Sequence, residues 1–545
     1  MISRRDFLSR SGMIAAVASI PQTVRSVEEV QKLSNHKPKN IIHLVADGMS
    51  MGTLTCADHF SNKLRGRGLT WFALMNNPAV NFAWVNMRSL SSLVTDSSAA
   101  ASSWGSGTRV LNGALNQLPD GRSLKTLYEL FSQAGWKRGL VTTTEITHAT
   151  PAGFSANVDD RDAGTIIALQ YLEREVDLLL GGGQKFFDPT QRKDKRNLKK
   201  DFANAGYEVM ENLDALKSAS VEKRWLGIFD KSHLPFMIDH INSEKIKAKV
   251  PTLSYMTERA LEWISRYPNF ILQVEGGCVD QACHNCDAPA AFYEMIEFDK
   301  AIELCLDYQS KNPETLIIIT TDHGNGNPGL NGMGKTYGQS SWLFSNIGGF
   351  KASFPEIIKA IKNNGKSLNI NHDNDNTEKE DDGPSADNNG ESKTVKKETK
   401  QTPDQLPEPA RIVEIIRELT GLPYVSSRRS EVLRSQFQKK TFPLYEVMNN
   451  ETAALGQLLA NYIGIGWTGG VHTADYVPLT AIGPGSDKFR GFLQNTEIFY
   501  NYLSLAGIDY KNPSMDLIAY DLKGPEATDV ENIAEYAIID SNYVA

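Results

Sequence analysis

At 545 residues, with 41% hydrophobic and 22% charged positions, the chain has an ordinary globular balance and enough length for one large α/β core with insertions. A formal net charge of -8 argues against nucleic acid as a specific partner, because binding a phosphate backbone needs clustered Lys and Arg. Any phosphate that the protein handles must therefore meet positive charge placed locally.

The N-terminus reads Ser3-Arg4-Arg5-Asp6-Phe7-Leu8, ahead of an apolar run from Gly12 to Ile20 that is too short to span a bilayer. This resembles a twin-arginine export signal, with residues 1–30 as signal peptide and leader, and implies a periplasmic or extracellular location. The alternative is a chance arginine pair before a first helix. No later apolar stretch reaches the roughly 20 residues of a membrane span, so no stable membrane anchor is expected.

Beyond the leader, short apolar runs ending in polar residues recur: Ile41 to Ala46, Gly139 to Thr142, Val176 to Leu180, Phe270 to Val274 and Leu316 to Thr320. Such runs predict buried parallel strands. Segments with helical spacing lie between them, at Ser123 to Ala134, Leu253 to Ser265 and Ala288 to Leu306, so the expected architecture is a doubly wound α/β sandwich. In such sheets chemistry gathers past the carboxyl ends of the strands. Asp47 follows the first run, Glu275 follows Val274, and Asp322-His323 follows Thr320-Thr321.

Ser97 lies in Thr95-Asp96-Ser97-Ser98 before Ala99-Ala100-Ala101, at an apparent helix start, where free backbone N–H groups favour an anion. A serine there also reads as an ordinary helix N-cap. Cys283-His284-Asn285-Cys286 has no second Cys-x-x-Cys pair to complete a zinc site, so the five cysteines, Cys56, Cys278, Cys283, Cys286 and Cys305, read as buried thiols or a local disulfide.

Between the Asp322 strand and His472, residues 330–465 form an insertion with helical periodicity at Phe354 to Ile361, Ala410 to Leu419 and Glu451 to Tyr462, an expected helical cap. Within it, residues 371–405 carry no aromatic side chain and almost no large aliphatic one, a composition that predicts disorder. Asp373 and Asp375 lack the glycine and glutamate spacing of a calcium loop. Of the histidines outside motifs, His36, His43, His59, His233, His240 and His372, all are expected in surface or core roles, and His43 as a hydrogen-bonded core residue.

Asp47, Glu275, Asp280, His284, Asp322, His323 and His472 are metal-ligand types, mixed carboxylate and imidazole sets favouring zinc and all-oxygen sets magnesium. Asp47-Gly48-Met49, Thr95-Asp96-Ser97, Glu275-Gly276-Gly277 with Asp280 and His284, Thr321-Asp322-His323, and Thr468-Gly469-Gly470-Val471-His472 together resemble, in order, the motifs of the alkaline phosphatase family. The resemblance implies a three-layer α/β/α sandwich with a large, mostly parallel central sheet, over a catalytic domain spanning 38–545. It implies hydrolysis of small-molecule phosphate monoesters with two zinc ions and one magnesium as cofactors, and leaves a homodimer open, the family being often dimeric.

By the same resemblance Ser97 is the nucleophile. Asp280, His284 and His472 bind the first zinc, which activates the water that hydrolyses the phosphoserine. Asp47, Asp322 and His323 bind the second, which holds Ser97 as an alkoxide. Magnesium takes Asp47, Glu275 and Thr150, with His148 beside it, and Arg161 grips two phosphate oxygens, although its alternative is an ion pair with neighbouring carboxylates. Two positions depart from the best-studied bacterial type: His148 stands where that type has Asp near magnesium, and Gln281 where it has Lys.

A phosphodiesterase, sulfatase or phosphomutase of the same superfamily is the competing reading. Ser97 lacks the Pro- and Arg-containing modification motif of sulfatases, and diesterases of this fold usually carry Thr as nucleophile. A non-enzymatic phosphate- or metal-binding protein should show damage at a catalytic position, and none is found.

Overall fold

The computed structural model describes residues 37–365, 406–441 and 443–517. The export signal assigned to 1–30 and the disorder assigned to 371–405 lie outside the described residues, as do His36 and His372.

Ten strands form one sheet: β1 Asn40–Val45, β2 Val80–Asn86, β3 Lys137–Glu145, β4 Leu178–Gly182, β5 Tyr207–Met210, β6 Arg224–Ile228, β7 Phe270–Glu275, β8 Thr315–Thr320, β9 Val477–Ile482 and β10 Gly491–Gln494. Their order is β10-β2-β9-β8-β1-β7-β3-β4-β6-β5, with β9 alone antiparallel to its neighbours. All six residues of β1 are buried, and it pairs in parallel with β7 and β8 on its two sides.

Side-chain alternation divides the interior into two layers. Ile42, Leu44, Leu272, Val274, Ile317 and Ile319 enter one apolar cluster, whereas Ile41, Val45, Ile271, Leu316 and Ile318 enter the other. Helices cover both faces, so strands buried on two sides carry continuous apolar sequence. The first layer includes α1 (Met51–Arg65), α3 (Cys278–His284) and α4 (Ala288–Lys311). The second includes α2 (Ser97–Ser106) and the helix Asn495–Ala506. This is the expected three-layer sandwich.

All five predicted runs are strands, but β2, β5, β6, β9 and β10 were not foreseen. In β9 a proline interrupts the apolar pattern: Pro478 faces Trp84 across an antiparallel pair. The run from Val176 shifts, because Val176 and Asp177 precede β4. The helix predicted from Ser123 starts at Leu127, where Thr126 and Glu129 form a capping box.

Phe354–Lys362, Pro409–Thr420 and Glu451–Ile463 are helices, joined by Ser427–Phe437. Their apolar faces enter the same cluster as one face of the sheet. Buried carboxylates pin the start of the first of them to the body of the molecule: Asp287 accepts the Phe354 N–H at 2.5 Å, and Asp239 accepts that of Ser353 at 2.8 Å. Glu294 does the same for the helix Met237–Asn242, accepting its first N–H at 2.6 Å.

Burial pushes the Asp287 and Glu294 carboxyls up to about 8. A carboxyl raised in the folded state holds a proton that the unfolded chain releases, so its contribution to stability is complete below the unfolded value and is lost as pH rises toward about 8. Glu294→Gln keeps the oxygen that accepts from Met237 and removes the titration. Denaturant unfolding of the apo-protein should lose less stability between pH 5 and 8 in this variant than in the wild type; equal slopes would contradict the assignment.

Candidate active site

Helix α2 places Ser97. The Asp96 side chain accepts the Ala99 N–H at 2.9 Å and is the N-cap, so Ser97 is the first helical residue rather than the cap. By helix geometry the N–H groups of Ser97 and Ser98 have no intrahelical acceptor. Ser97 is 1% exposed, and its Oγ lies 3.2 Å from His323 Nε2.

Around this hydroxyl the carboxyl ends of three neighbouring strands deliver ligand-type side chains: Asp47 beyond β1, Glu275 as the last residue of β7, and Asp322-His323 beyond β8. Three groups form: Asp280, His284 and His472; Asp47, Asp322 and His323; and Asp47, His148 and Glu275, the ligand atoms of each lying within 4.8 Å of one another. Asp47 is shared by two groups, and the His323 and His472 rings stack at 3.6 Å, joining the third. Thr150 Oγ1 donates to Asp47 Oδ2 at 3.2 Å.

Each group is held from behind. His284 Nδ1 meets the Gly470 carbonyl at 2.8 Å and His472 Nδ1 the Thr95 carbonyl at 2.9 Å, so both rings present Nε2 inward, 3.1 Å apart. Thr142 Oγ1 donates to Glu275 Oε2 at 2.5 Å, and Thr144 Oγ1 to the same oxygen at 3.3 Å. What remains is a set of buried atoms with no hydrogen-bond partner among the described residues: Asp47 Oδ1, Glu275 Oε1, Asp322 Oδ2 and His148 Nδ1. They converge, for His148 Nδ1 lies 3.9 Å from Glu275 Oε1 and 3.8 Å from the other Asp47 oxygen.

The electrostatics match a cation site. Burial, with Asp322, Asp280 and Glu275 close by, raises Asp47 well above the usual carboxylate range; burial raises Glu275 to about 7 and Asp322 to about 6. Burial also depresses His323 to about 4 and His472 to about 3, so both are neutral imidazoles with a lone pair to offer. At Asp280 burial is outweighed by His284, His472 and His323, which hold the carboxyl well below its ordinary value.

Arg161 reaches the site through Asp96 Oδ2 at 3.2 Å and His148 Nε2 at 3.1 Å. Arginine can only donate, so this Nε2 accepts and the neutral His148 ring carries its proton on Nδ1, toward Asp47 and Glu275. Arg161 makes an ion pair with Asp96, across 65 residues, and its neighbour Asp162 also acts on it electrostatically. All the candidate site residues, Ser97, Arg161, Asp47, His148, Thr150, Glu275, Asp280, His284, Asp322, His323 and His472, thus come together.

Several neighbours were not foreseen. His233, expected in a surface or core role, lies beside His148 with ring centroids 5.8 Å apart, and its Nδ1 accepts the Glu145 N–H at 3.3 Å. Asn325 donates to Asp280, and Thr142 and Thr144 hold Glu275; none stands in a motif that would have marked it. His43 is the core residue expected, bonded to the Tyr502 hydroxyl at 2.6 Å and depressed by burial to about 3. All five cysteines are free and buried, so the local-disulfide alternative is not realised. Burial raises Cys56 to about 11 and Cys286 to about 12, keeping these thiols protonated.

Gly48 is a tight point of the backbone beside the ligand groups. At φ +67 it adopts a left-handed conformation, its N–H donates to Asp322 Oδ1 at 3.1 Å, and a Cβ there would stand 2.0 Å from Asp280 Oδ1. Gly48→Ala should therefore displace Asp280 as well as strain the turn. Metal content by elemental analysis is expected to fall about tenfold or more in affinity-limited loading; a wild-type metal content would refute this reading.

Comparison with known proteins agrees with the geometry. The family model described as alkaline phosphatase matches residues 38–412. Alkaline phosphatase 3 of Bacillus subtilis is 29% identical over 510 residues, covering 89% of this chain and 92% of that protein. The repressible alkaline phosphatase of Saccharomyces cerevisiae is 32% identical over 318 residues, 54% of this chain and 56% of that one. Among solved structures, Thermus thermophilus alkaline phosphatase superimposes with a TM-score of 0.76 at 28% identity, covering 96% of this chain and 100% of that one. With ligand-type side chains gathered at the carboxyl ends of the sheet, the chain belongs to the alkaline phosphatase family and is a metal-binding phosphatase.

Proposed function

We propose that this phosphatase hydrolyses phosphate monoesters through a covalent phosphoserine on Ser97, at a site for two zinc ions and one magnesium. The observation that carries the reading is the convergence of buried ligand atoms, Asp47 Oδ1, Glu275 Oε1 and Asp322 Oδ2, that have no hydrogen-bond partner among the described residues, the first and last of them 3.5 and 3.2 Å from His323 Nε2. Buried carboxylates in that state need cations or protons, and the imidazoles beside them supply the ligand types that favour cations.

The donor sets fit the metals implied by the family. Asp280, His284 and His472 suit one zinc; Asp47, Asp322 and His323 suit the other; Asp47, Glu275 and Thr150 suit magnesium. His148 would join the third set through Nδ1 only when Arg161 no longer donates to its Nε2. When bound, the cations supply charge stabilisation and lower the pKa of a coordinated hydroxyl or water.

The residues do the rest. Ser97 Oγ attacks phosphorus, forming the Oγ–P bond as the bond to the leaving alcohol breaks; the seryl proton is released and the alcohol takes one up. Water then attacks phosphorus, the Oγ–P bond breaks, and Ser97 recovers a proton, leaving inorganic phosphate. The first N–H groups of α2 face the phosphoryl oxygens, and the Arg161 fork binds two of them. Ser97 and Arg161 together favour monoesters over diesters.

Acid quenching during turnover of an aryl phosphate should trap phosphate on Ser97. Ser97→Ala should trap none and lose activity by on the order of 10³-fold or more. Excess chelator should inactivate the wild type, and zinc with magnesium restore it. Full activity in chelator, or a diester or sulfate ester turned over faster than the monoester, would overturn the proposal.

Residues 1–30 are proposed as a twin-arginine export leader and 330–465 as an accessory helical insertion. No helix of the described residues is long and apolar enough to cross a membrane.

A further inference from the structure

Asn325 sits where two of the ligand groups meet, and no motif predicted it. The segment Asp322 to Asn325 carries two residues of one group, Asp322 and His323, and ends two positions later in a fully buried amide. The two-residue strand Gly324–Asn325 pairs antiparallel with His472–Thr473, so that the Asn325 backbone lies directly opposite His472. Its side chain points the other way along the same group: Nδ2 donates to Asp280 Oδ1 at 2.7 Å. A single residue therefore touches two of the three members of the Asp280, His284 and His472 group, one through its backbone and one through its side chain.

Asp280 needs such a partner. Its Oδ2 lies 3.1 Å from His284 Nε2, and its Oδ1 lies 3.9 Å from His472 Nε2. On the open side of Oδ1 stands Gly48, which has no Cβ and leaves the carboxylate uncrowded but also unsupported by any side chain. The Asn325 amide is the neutral donor that fixes the carboxylate rotation there. Its own orientation is determined, because turning the amide over would set Oδ1 against Asp280 Oδ1, acceptor against acceptor. Asn325 Oδ1 has no partner among the described residues, so the amide is not held in place by satisfying both of its ends. The contact with Asp280 is what orients it.

We infer that Asn325 is a positioning residue: it holds Asp280 in the rotamer that binds the first cation and, through the paired strands, registers Asp280 against His472. The inference rests on the proposed assignment of Asp280, His284 and His472 to one zinc. An amide does not ionise, so this support persists across the alkaline range. It also adds no charge to a group that already carries one carboxylate and two imidazoles.

The test uses the full chain, stripped of metal and titrated with zinc against a competing chelator. Asn325→Ala removes the donor and leaves the backbone pairing with His472 intact. Asn325→Asp keeps the shape and replaces the donor with an acceptor. Both should weaken one zinc equivalent by about 10- to 100-fold while the other titrates as in the wild type, with Asn325→Asp at least as weak as Asn325→Ala. The apo-protein melting temperature should stay near that of the wild type in at least one of the two variants. A role limited to filling space predicts the opposite order, with Asn325→Asp close to wild type. That order, or unchanged zinc affinity in both variants, overturns the inference and leaves the proposed function standing. A wild type that binds no zinc removes both.

Discussion

The structure turns on negative charge concentrated where water cannot screen it. Asp47, Glu275 and Asp322 are fully buried at the ends of three adjacent strands, and Asp280 is 3% exposed beside them. Two like charges 4 Å apart repel by about 4 kcal/mol even at an effective dielectric constant near 20. A few such pairs equal the whole net stability of a typical domain, about 5–15 kcal/mol. Such a site persists only with compensating cations or with protons, and burial among like charges accordingly raises the Asp47, Glu275 and Asp322 carboxyls.

The sheet makes the concentration possible. Because β1 is flanked in parallel by β7 and β8, residues at three carboxyl ends arrive at one level without any long loop having to fold inward. The rigid strands then impose positions that the side chains would not choose for themselves, and the layer behind them, Thr142, Thr144, Asn325 and the carbonyls of Gly470 and Thr95, fixes their orientation.

Asp96 shows how one residue serves both fold and site. Its carboxylate caps α2, accepts the Gly113 N–H at 2.9 Å and pairs with Arg161, so the helix that carries Ser97 and the guanidinium that faces it share one anchor. Its carboxyl lies below the ordinary value, since Arg161, Ser98 and two backbone N–H groups outweigh burial.

Much of this was legible in the chain. Five buried strands were read from apolar runs because a strand covered on both faces needs no polar alternation, and every candidate residue of the site stood in a short motif or a fixed spacing from one. The strands that were missed lie toward the sheet edges or, as in β9, carry a proline, where the pattern is weaker. The starting point of α2 was also visible, but whether Ser97 or Asp96 caps it was not, since both residue types cap helices. Composition and motif thus determined the fold class, the ligand types and their order along the chain. Only the tertiary structure decided that Arg161 pairs with Asp96, that His233 stands beside His148, and that Asn325 supports Asp280, because each of these contacts joins residues 45 to 85 positions apart and depends on strand register rather than on any local pattern.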